Sequence, residues 1–210
     1  MRLWQRIAIG GVAGVLCLTV GIAYKRRHTS TSPVNPEVGA VVVSTKTPDE
    51  TVPQKRAYQA LPSGTQPEEI VIPSINVDGF VQRVGIDQNS QVAVPTNIHL
   101  AGWFAQSQQP GDKGLSIIDG HLDGLHTDGI FRHLVDVKVG DPIKITLGDG
   151  TVRAFTVMSV QTVLNADVAN ILFSQDPAVV SQLNLVTCGG TYVKTDKGYD
   201  SRFVVMARLN

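Results

Sequence analysis

The sequence contains little cysteine, few aromatic residues and no net charge. Its two cysteines are Cys17 and Cys188, and aromatic residues make up 6% of the 210 residues. Because Cys17 falls in an apolar N-terminal segment, it cannot pair with Cys188, so the chain has no disulfide framework. Lys and Arg together number 18, as do Asp and Glu. The chain as a whole therefore has no basic excess of the kind that nucleic-acid binding requires.

The charges are unevenly distributed along the chain. Residues 1–56 carry 8 Lys and Arg against 3 Asp and Glu, and the remainder carries 10 against 15. An acidic globular part argues against nucleic acid as a partner. The histidines also lack metal-ligand spacing, since no two lie four residues apart with a supporting carboxylate. We therefore predict no cofactor and no required metal ion.

The longest apolar run is Ile7–Tyr24, which no charged residue interrupts. As a helix it would be about 27 Å long, close to the roughly 30 Å hydrocarbon core of a bilayer. Basic residues flank it on both sides, so we predict that residues 1–27 form a single-pass membrane anchor. A cleaved signal peptide is the alternative, because Gly21-Ile22-Ala23 has a small residue at each end. The basic run directly after the apolar segment disfavours cleavage.

Residues 28–67 are rich in Ser, Thr, Pro and Val and show no hydrophobic period. Such a composition predicts a disordered stalk. A flexible coil of this length has a root-mean-square reach of roughly 35 Å. The folded part would then work just above the membrane surface.

From residue 68 to residue 210, short apolar runs alternate with turn signals, which is typical of a mainly β closed barrel or sandwich. Leu147–Val152 contains Asp-Gly between β-branched residues and predicts a hairpin. The two expected helical turns are Asp167–Phe173 and Pro177–Gln182. The predicted strands are Ile70–Ile72, Ile75–Val77, Val81–Val84, Val92–Val94, Leu115–Asp119, Ile143–Leu147, Val152–Val160, Leu183–Cys188 and Phe203–Leu209.

Cys188 is the candidate nucleophile. It closes a run of alternating residues that predicts a strand, and Gly189 and Gly190 after it would let the backbone turn away. The reactive species is the thiolate, and a free thiol is mostly protonated near pH 7. A catalytic cysteine therefore needs a base or a cationic partner. A buried structural thiol is the alternative interpretation.

Two other polar residues have comparable positions. His121 follows an apolar run that predicts a strand, and Arg202 opens the last such run. Each of the three residues, with Cys188, lies at the end of a separate strand-like segment. We expect them to converge on one rim of the barrel.

These segments resemble the motifs of sortases in content and in order. Gly120-His121, Val186-Thr187-Cys188 and Arg202-Phe203-Val204-Val205 resemble the His, Thr-x-Cys-type and Arg motifs of that family. The resemblance covers roughly Ile70 to Leu209 and looks closest to the class E and class F sortases. It rests further on Val94-Pro95, Ala101-Gly102-Trp103, Pro110-Gly111, Gly129-Ile130-Phe131 and Cys188-Gly189-Gly190.

The resemblance implies a closed barrel of about eight strands, with a helix between strands six and seven. It implies that Cys188 attacks, that His121 transfers protons, and that Arg202 stabilises the developing oxyanion or holds the substrate backbone. Thr187 and Gly189 are expected at the substrate. Separately, Asp123, two residues after His121, is expected to orient the imidazole.

The function implied is that of a cysteine transpeptidase at the cell membrane, with its catalytic domain outside the cell. It would cleave a Leu-Pro-x-Thr-Gly-like sorting motif between Thr and Gly through a thioester. The acyl group would pass to an amine, such as a peptidoglycan precursor or a pilin lysine. Two alternatives stay open: a non-catalytic membrane-tethered β-barrel that binds peptide or wall polymer, and an L,D-transpeptidase. A His-Gly pair would directly precede the cysteine in the latter, whereas Val186-Thr187 does so here.

Overall fold

The computed structural model describes residues 47–54, 64–88, 90–195 and 197–210. Eight strands close a barrel in the order β1-β2-β3-β4-β7-β8-β6-β5, which confirms the predicted mainly β barrel. The strands are β1 (Pro67–Ile72), β2 (Val77–Val84), β3 (Ala101–Phe104), β4 (Gly114–Gly120), β5 (Pro142–Leu147), β6 (Val152–Leu164), β7 (Ser181–Val193) and β8 (Gly198–Leu209). The helix α1 (Val168–Leu172) lies between β6 and β7, where it was expected, and 3-10 turns occupy Pro73–Ile75 and Leu134–Asp136.

Two apolar clusters form because side chains alternate across each strand. The larger includes Leu183, Leu185 and Val205 and fills the barrel. The smaller includes Val186 and Val204 and is covered by residues of α1. The functional strands β7 and β8 are thus buried on both faces, and this double burial fixes their register.

Several sequence predictions differ from the structure. Strand β3 was not predicted, and Val92–Val94 forms no strand beyond an isolated bridge between Val92 and Ile86. Pro177–Gln182 is not helical, because its end belongs to β7. The predicted hairpin at Leu147–Val152 is present, with Gly150 at a φ of 81° and the backbone N–H of Leu147 donating to Thr151 O.

The N-terminal predictions fall largely beyond the described part of the chain. The anchor predicted for residues 1–27 lies outside it, and no helix within the described ranges is long and apolar enough to cross a membrane. The disorder predicted for residues 28–67 does not hold for residues 47–54. The backbone of Asp49 pairs there with the 96–98 segment, through Asp49 N to Thr96 O at 2.7 Å and Ile98 N to Asp49 O at 2.9 Å.

Candidate active site

Strands β7 and β8 bring Cys188 and Arg202 together. The two residues are direct partners in the antiparallel register. They follow the alternation of Val186 and Val204, so their side chains point to the outer face of the barrel rather than into it. Both lie within their strands, contrary to the expectation that they stand at strand ends. The pairing becomes irregular between Gly189 and Tyr192, directly after Cys188.

His121 directly follows strand β4, which is a neighbour of β7 in the barrel. The strand pairs in parallel with β7, with Asp119 opposite Val186. The pairing ends there and β4 ends at Gly120, so His121 follows the strand directly. Continued by two residues, the same register would bring His121 toward Cys188, and the convergence of cysteine, histidine and arginine stays a prediction.

A backbone carbonyl outside the sheet holds the imidazole of His121. Its Nε2 lies 2.8 Å from Pro95 O. Because a carbonyl oxygen only accepts, Nε2 carries a proton in this hydrogen bond and Nδ1 is left to exchange protons. Burial lowers the pKa of His121, and the hydrogen bond to Pro95 opposes that shift.

Burial raises the pKa of the Cys188 thiol. The positive charge of Arg202 opposes this shift, whereas Asp119 and Asp123 add to it. A thiolate at this position therefore depends on the guanidinium and on any proton acceptor nearby. No free cysteine other than Cys188 is found in the described part of the chain.

One nitrogen of Arg202 is anchored within the protein. Nη1 donates to Asn165 Oδ1 at 2.9 Å and to Ser201 O at 2.9 Å. Asn165 in turn donates from Nδ2 to Tyr199 O at 2.6 Å. No described residue accepts a hydrogen bond from Nε or Nη2 of the arginine, so these donors are available to a ligand. Sequence reasoning missed Asn165, since an exposed asparagine between a strand and a helix carries no motif.

Asp123 does not orient the imidazole as predicted. Its carboxylate pairs with Arg132 Nη1 at 2.5 Å and accepts a short hydrogen bond from the Tyr199 hydroxyl. This hydrogen bond raises the pKa of Tyr199 to about 12. The orienting contact of His121 belongs to Pro95 instead.

Thr187 and Gly189 are buried beside the site, and their contact with substrate stays a prediction. Thr187 is 2% exposed, and its hydroxyl donates to Gly120 O at 2.8 Å. This hydrogen bond ties the strand of Cys188 to the residue before His121. A Cβ at Gly189 would stand 2.7 Å from the ring of Phe203. Only glycine fits at this position, because the ring packs against the backbone.

An open groove of about 430 Å³ adjoins the site. It lies between the loop of residues 123–128 and the side chains of Tyr192 and Tyr199. The two tyrosine rings meet edge to face, with centroids 5.4 Å apart. Asp123 and Tyr199 line this groove and also interact electrostatically with Cys188. The groove therefore opens close to the thiol.

Residues 47–54 form hydrogen bonds with the loops around His121. The Glu50 carboxylate accepts hydrogen bonds from the backbone N–H groups of Leu125 and His126. Asn97 donates from Nδ2 to Thr51 O at 2.8 Å. The segment thus contacts both the loop that follows β4 and the loop that contains Pro95.

The other histidines within the described ranges are His99, His126 and His133, and they make structural or surface contacts. His99 Nε2 lies 3.1 Å from Glu50 O, His133 Nδ1 lies 3.1 Å from Asp136 Oδ2, and His126 is exposed. Within the described ranges, no group of three or more His, Cys, Asp or Glu side chains is placed to hold a metal ion.

Comparison with known proteins identifies related folds. A family model described as "Sortase domain" matches residues 70–210. A lid mutant of sortase A from Corynebacterium diphtheriae is 25% identical, with a TM-score of 0.53, over 81% of this chain and 86% of that chain. The sortase D5 transpeptidase of Clostridium perfringens is 22% identical, with a TM-score of 0.51, over 69% and 79% of the two chains. Sortase C1 from Streptococcus agalactiae is 22% identical, with a TM-score of 0.52, over 68% and 66%.

A search of curated proteins found no match. The similar structures named above are sortases A, C1 and D5. The closer resemblance to classes E and F stays a prediction.

Proposed function

The chain belongs to the sortase family, and on that premise we propose that it is a membrane-anchored transpeptidase specific for a Leu-Pro-x-Thr-Gly-like sorting motif. Membership makes the chain a cysteine transpeptidase. The proposal adds the motif, the bond between Thr and Gly, the N-terminal anchor and an extracellular catalytic domain. The observation that carries it is that Cys188 on β7 pairs directly with Arg202 on β8. Strand β4, which ends just before His121, is the other neighbour of β7.

In the first half-reaction, the Cys188 thiolate attacks the carbonyl carbon of the motif's Thr. A C–S bond forms, the Thr–Gly C–N bond breaks, and His121 gives a proton to the departing amine. In the second, an incoming amine attacks the thioester and passes a proton to His121. The C–S bond breaks, and the thiolate is restored. Because Nε2 is engaged by Pro95, Nδ1 carries both proton transfers.

Arg202 supplies the positive charge at the oxyanion. Its Nη1 is engaged by Asn165 and Ser201, which orients the guanidinium plane. The remaining N–H groups can then donate to the oxygen that becomes negative in the transition state. An arginine stays charged at every physiological pH, so it cannot serve as the base.

The protonation states set the fraction of active enzyme. The ordinary pKa values of imidazole and thiol are about two pH units apart. Burial lowers the pKa of His121 and raises that of Cys188. The thiolate–imidazolium pair is therefore the minor protonation state of the free enzyme at neutral pH. Substrate that places a carbonyl oxygen at Arg202 shifts this balance toward reaction.

The proposed partners are a secreted protein with a sorting signal and an amine acceptor, a peptidoglycan precursor or a pilin lysine. We propose that the groove formed by residues 123–128, Tyr192 and Tyr199 binds a segment of either the sorting signal or the amine acceptor. Its open shape and its closeness to Cys188 support this assignment.

The test is amide exchange by the full-length chain in detergent, with a Leu-Pro-x-Thr-Gly peptide and an amine, followed by mass spectrometry. We expect a product in which the amine replaces Gly. Cys188→Ala should abolish it, and Cys17→Ala, the same change at the other cysteine, should not. Binding without any product, unaffected by Cys188→Ala, would overturn the proposal in favour of a binding module.

A further inference from the structure

Asp119 is a buried acid that the proposed reaction does not use. It lies in β4 two residues before His121 and is 6% exposed. Its Oδ1 is buried and has no hydrogen-bond partner in the part of the chain that the structure describes. Buried polar atoms are normally hydrogen bonded, and an unpaired buried carboxylate is costly. The exception calls for a physical explanation.

The register of the sheet places Asp119 under the active site. It stands opposite Val186 of β7, two residues before Cys188. Ile117, which points to the same face of β4, packs with Val186 and Val204 on the outer side of the barrel. Asp119 therefore shares its face with Cys188 and Arg202.

Two segments that the sequence analysis singled out enclose this carboxyl group. Gly102 of β3 is opposite Asp119 in the sheet, and a Cβ at Gly102 would stand 2.5 Å from Asp119 Oδ1. The same Cβ would stand 3.0 Å from the Pro95 ring, so glycine leaves the space that the acid occupies. Pro95 is also the residue whose carbonyl holds His121. Pro95 thus contacts both groups, with its ring beside the space that Asp119 occupies and its carbonyl oxygen bonded to His121.

We propose that Asp119 is a positioning residue for the Cys188–Arg202 pair, one that leaves the guanidinium to the thiol while it is uncharged and competes for the guanidinium once it is ionised. The inference rests on the proposed function. An uncharged acid leaves the guanidinium to the thiolate and the oxyanion. An ionised one attracts the guanidinium and repels the thiolate.

The electrostatics around Asp119 support this role. Burial raises the pKa of Asp119 well above its ordinary value, and the charge of Arg202 opposes the shift. The charge of Asp119 in turn raises the pKa of Cys188. The titratable groups that interact with the charge of Asp119 are Cys188 from β7 and Arg202 from β8, and His121 comes two residues later, just after β4 ends. Strand β3 and its preceding loop contribute Gly102 and Pro95, which do not titrate.

The test compares Asp119→Asn, which has nearly the same shape and no charge, with its parent. Both are made in the full-length chain with Cys17→Ala, so that Cys188 is the sole thiol. The alkylation rate with iodoacetamide is measured from pH 6 to pH 10. We expect rates within about twofold of each other at pH 7. At the alkaline end Asp119→Asn should be faster by about threefold, because the ionised Asp119 of the parent raises the pKa of Cys188 and lowers its thiolate content. Asp78→Asn, the same change at an exposed position of β2, should follow the parent throughout.

Two outcomes would overturn the proposal. Profiles that differ severalfold already at pH 7 would mean that Asp119 is charged in the resting enzyme, and profiles that coincide up to pH 10 would remove its influence on the thiol. If Asp119→Asn does not fold, the protonation state of Asp119 is measured instead by carbon-13 NMR of the parent protein labelled at aspartate. A carboxyl carbon of Asp119 with the chemical shift of an ionised acid at pH 7 would contradict the proposal. Neither readout needs a substrate, so failure here is distinguishable from absence of transpeptidation.

Discussion

Replacing Arg202 by lysine keeps the positive charge but removes the planar fork of donors. In the structure one guanidinium nitrogen is anchored at 2.9 Å to both Asn165 Oδ1 and Ser201 O. None of the described residues accepts a hydrogen bond from the other two nitrogens, which leaves them for the substrate. A lysine has a single nitrogen, so it cannot keep this anchor and at the same time reach the oxyanion with a separate donor.

The magnitude follows from the kind of hydrogen bond lost. A hydrogen bond to a charged group contributes about 1.5–3 kcal/mol. If Arg202→Lys loses one such bond in the transition state, kcat/KM falls at least about tenfold, since 1.4 kcal/mol corresponds to a factor of ten. The fall should appear in kcat more than in KM, because the oxyanion forms only during reaction.

The assay is steady-state amide exchange with a Leu-Pro-x-Thr-Gly peptide, with product quantified by chromatography. Arg208→Lys is the matched control, because Arg208 is an exposed arginine on the same strand, six residues further along. We expect Arg208→Lys to keep the parent's kcat/KM within about twofold, as for an ordinary surface substitution. If Arg202→Lys turns over at a near-normal rate, Arg202 has no part in the chemistry and the reasoning above is wrong.

Three further predictions concern the surroundings of the site. Thr187→Val removes one buried hydrogen bond and should lower the free energy of unfolding by about 0.5–1.5 kcal/mol in urea titrations; an unchanged value contradicts it. Glu50→Ala should speed hydrogen exchange of the backbone amides of Leu125 and His126, which now donate to the Glu50 carboxylate, but not of those in the centre of β7; equal protection in both proteins contradicts it. Because burial lowers the pKa of His121 and raises that of Cys188, kcat/KM should fall only below about pH 6.5 and above about pH 8.5. An acid limb centred above pH 7 argues against these assignments.

The strands around the site were predictable because both their β-branched and apolar composition and their two-residue alternation indicate a strand. Leu183–Cys188 and Phe203–Leu209 alternate two sets of side chains, and each set meets a different apolar cluster. Strand β3 escaped prediction because its four residues are all buried. Without a polar face such a short run has no period. Because β3 is buried on both faces within the closed barrel, its sequence lacks the polar–apolar alternation by which a strand is predicted.

The helix expected at Pro177–Gln182 fails for a different reason. Gln182 is buried and belongs to β7, where its Nε2 donates to Asn184 Oδ1 at 2.8 Å and to Ser174 O at 3.1 Å. The polar residues of this stretch look like the exposed face of a helix in the sequence. In the fold they satisfy the polar groups where the segment after α1 meets the strand.

The segment of residues 47–54 shows the limit of compositional reasoning. Its neighbours are rich in Thr, Pro and Val, which predicts disorder. Its order comes from partners far along the chain, such as Asn97, which donates to Thr51 O from 46 residues away. No local pattern records such a contact.

Two aspartates show why the candidate site was only partly predictable. Asp119 and Asp123 flank His121 at equal distances along the chain, and nothing local distinguishes them. In the fold, Asp123 bends outward and contacts Arg132 and Tyr199. Asp119 enters the space left by Gly102, where its Oδ1 has no hydrogen-bond partner among the described residues, and burial favours its neutral form. The motif singled out the cysteine, the histidine and the arginine as candidates, but the contacts of the two aspartates around His121 are set by neighbouring strands and loops. For the same reason a charge introduced or removed at Asp119 should alter the thiol more than the same change at a surface acid.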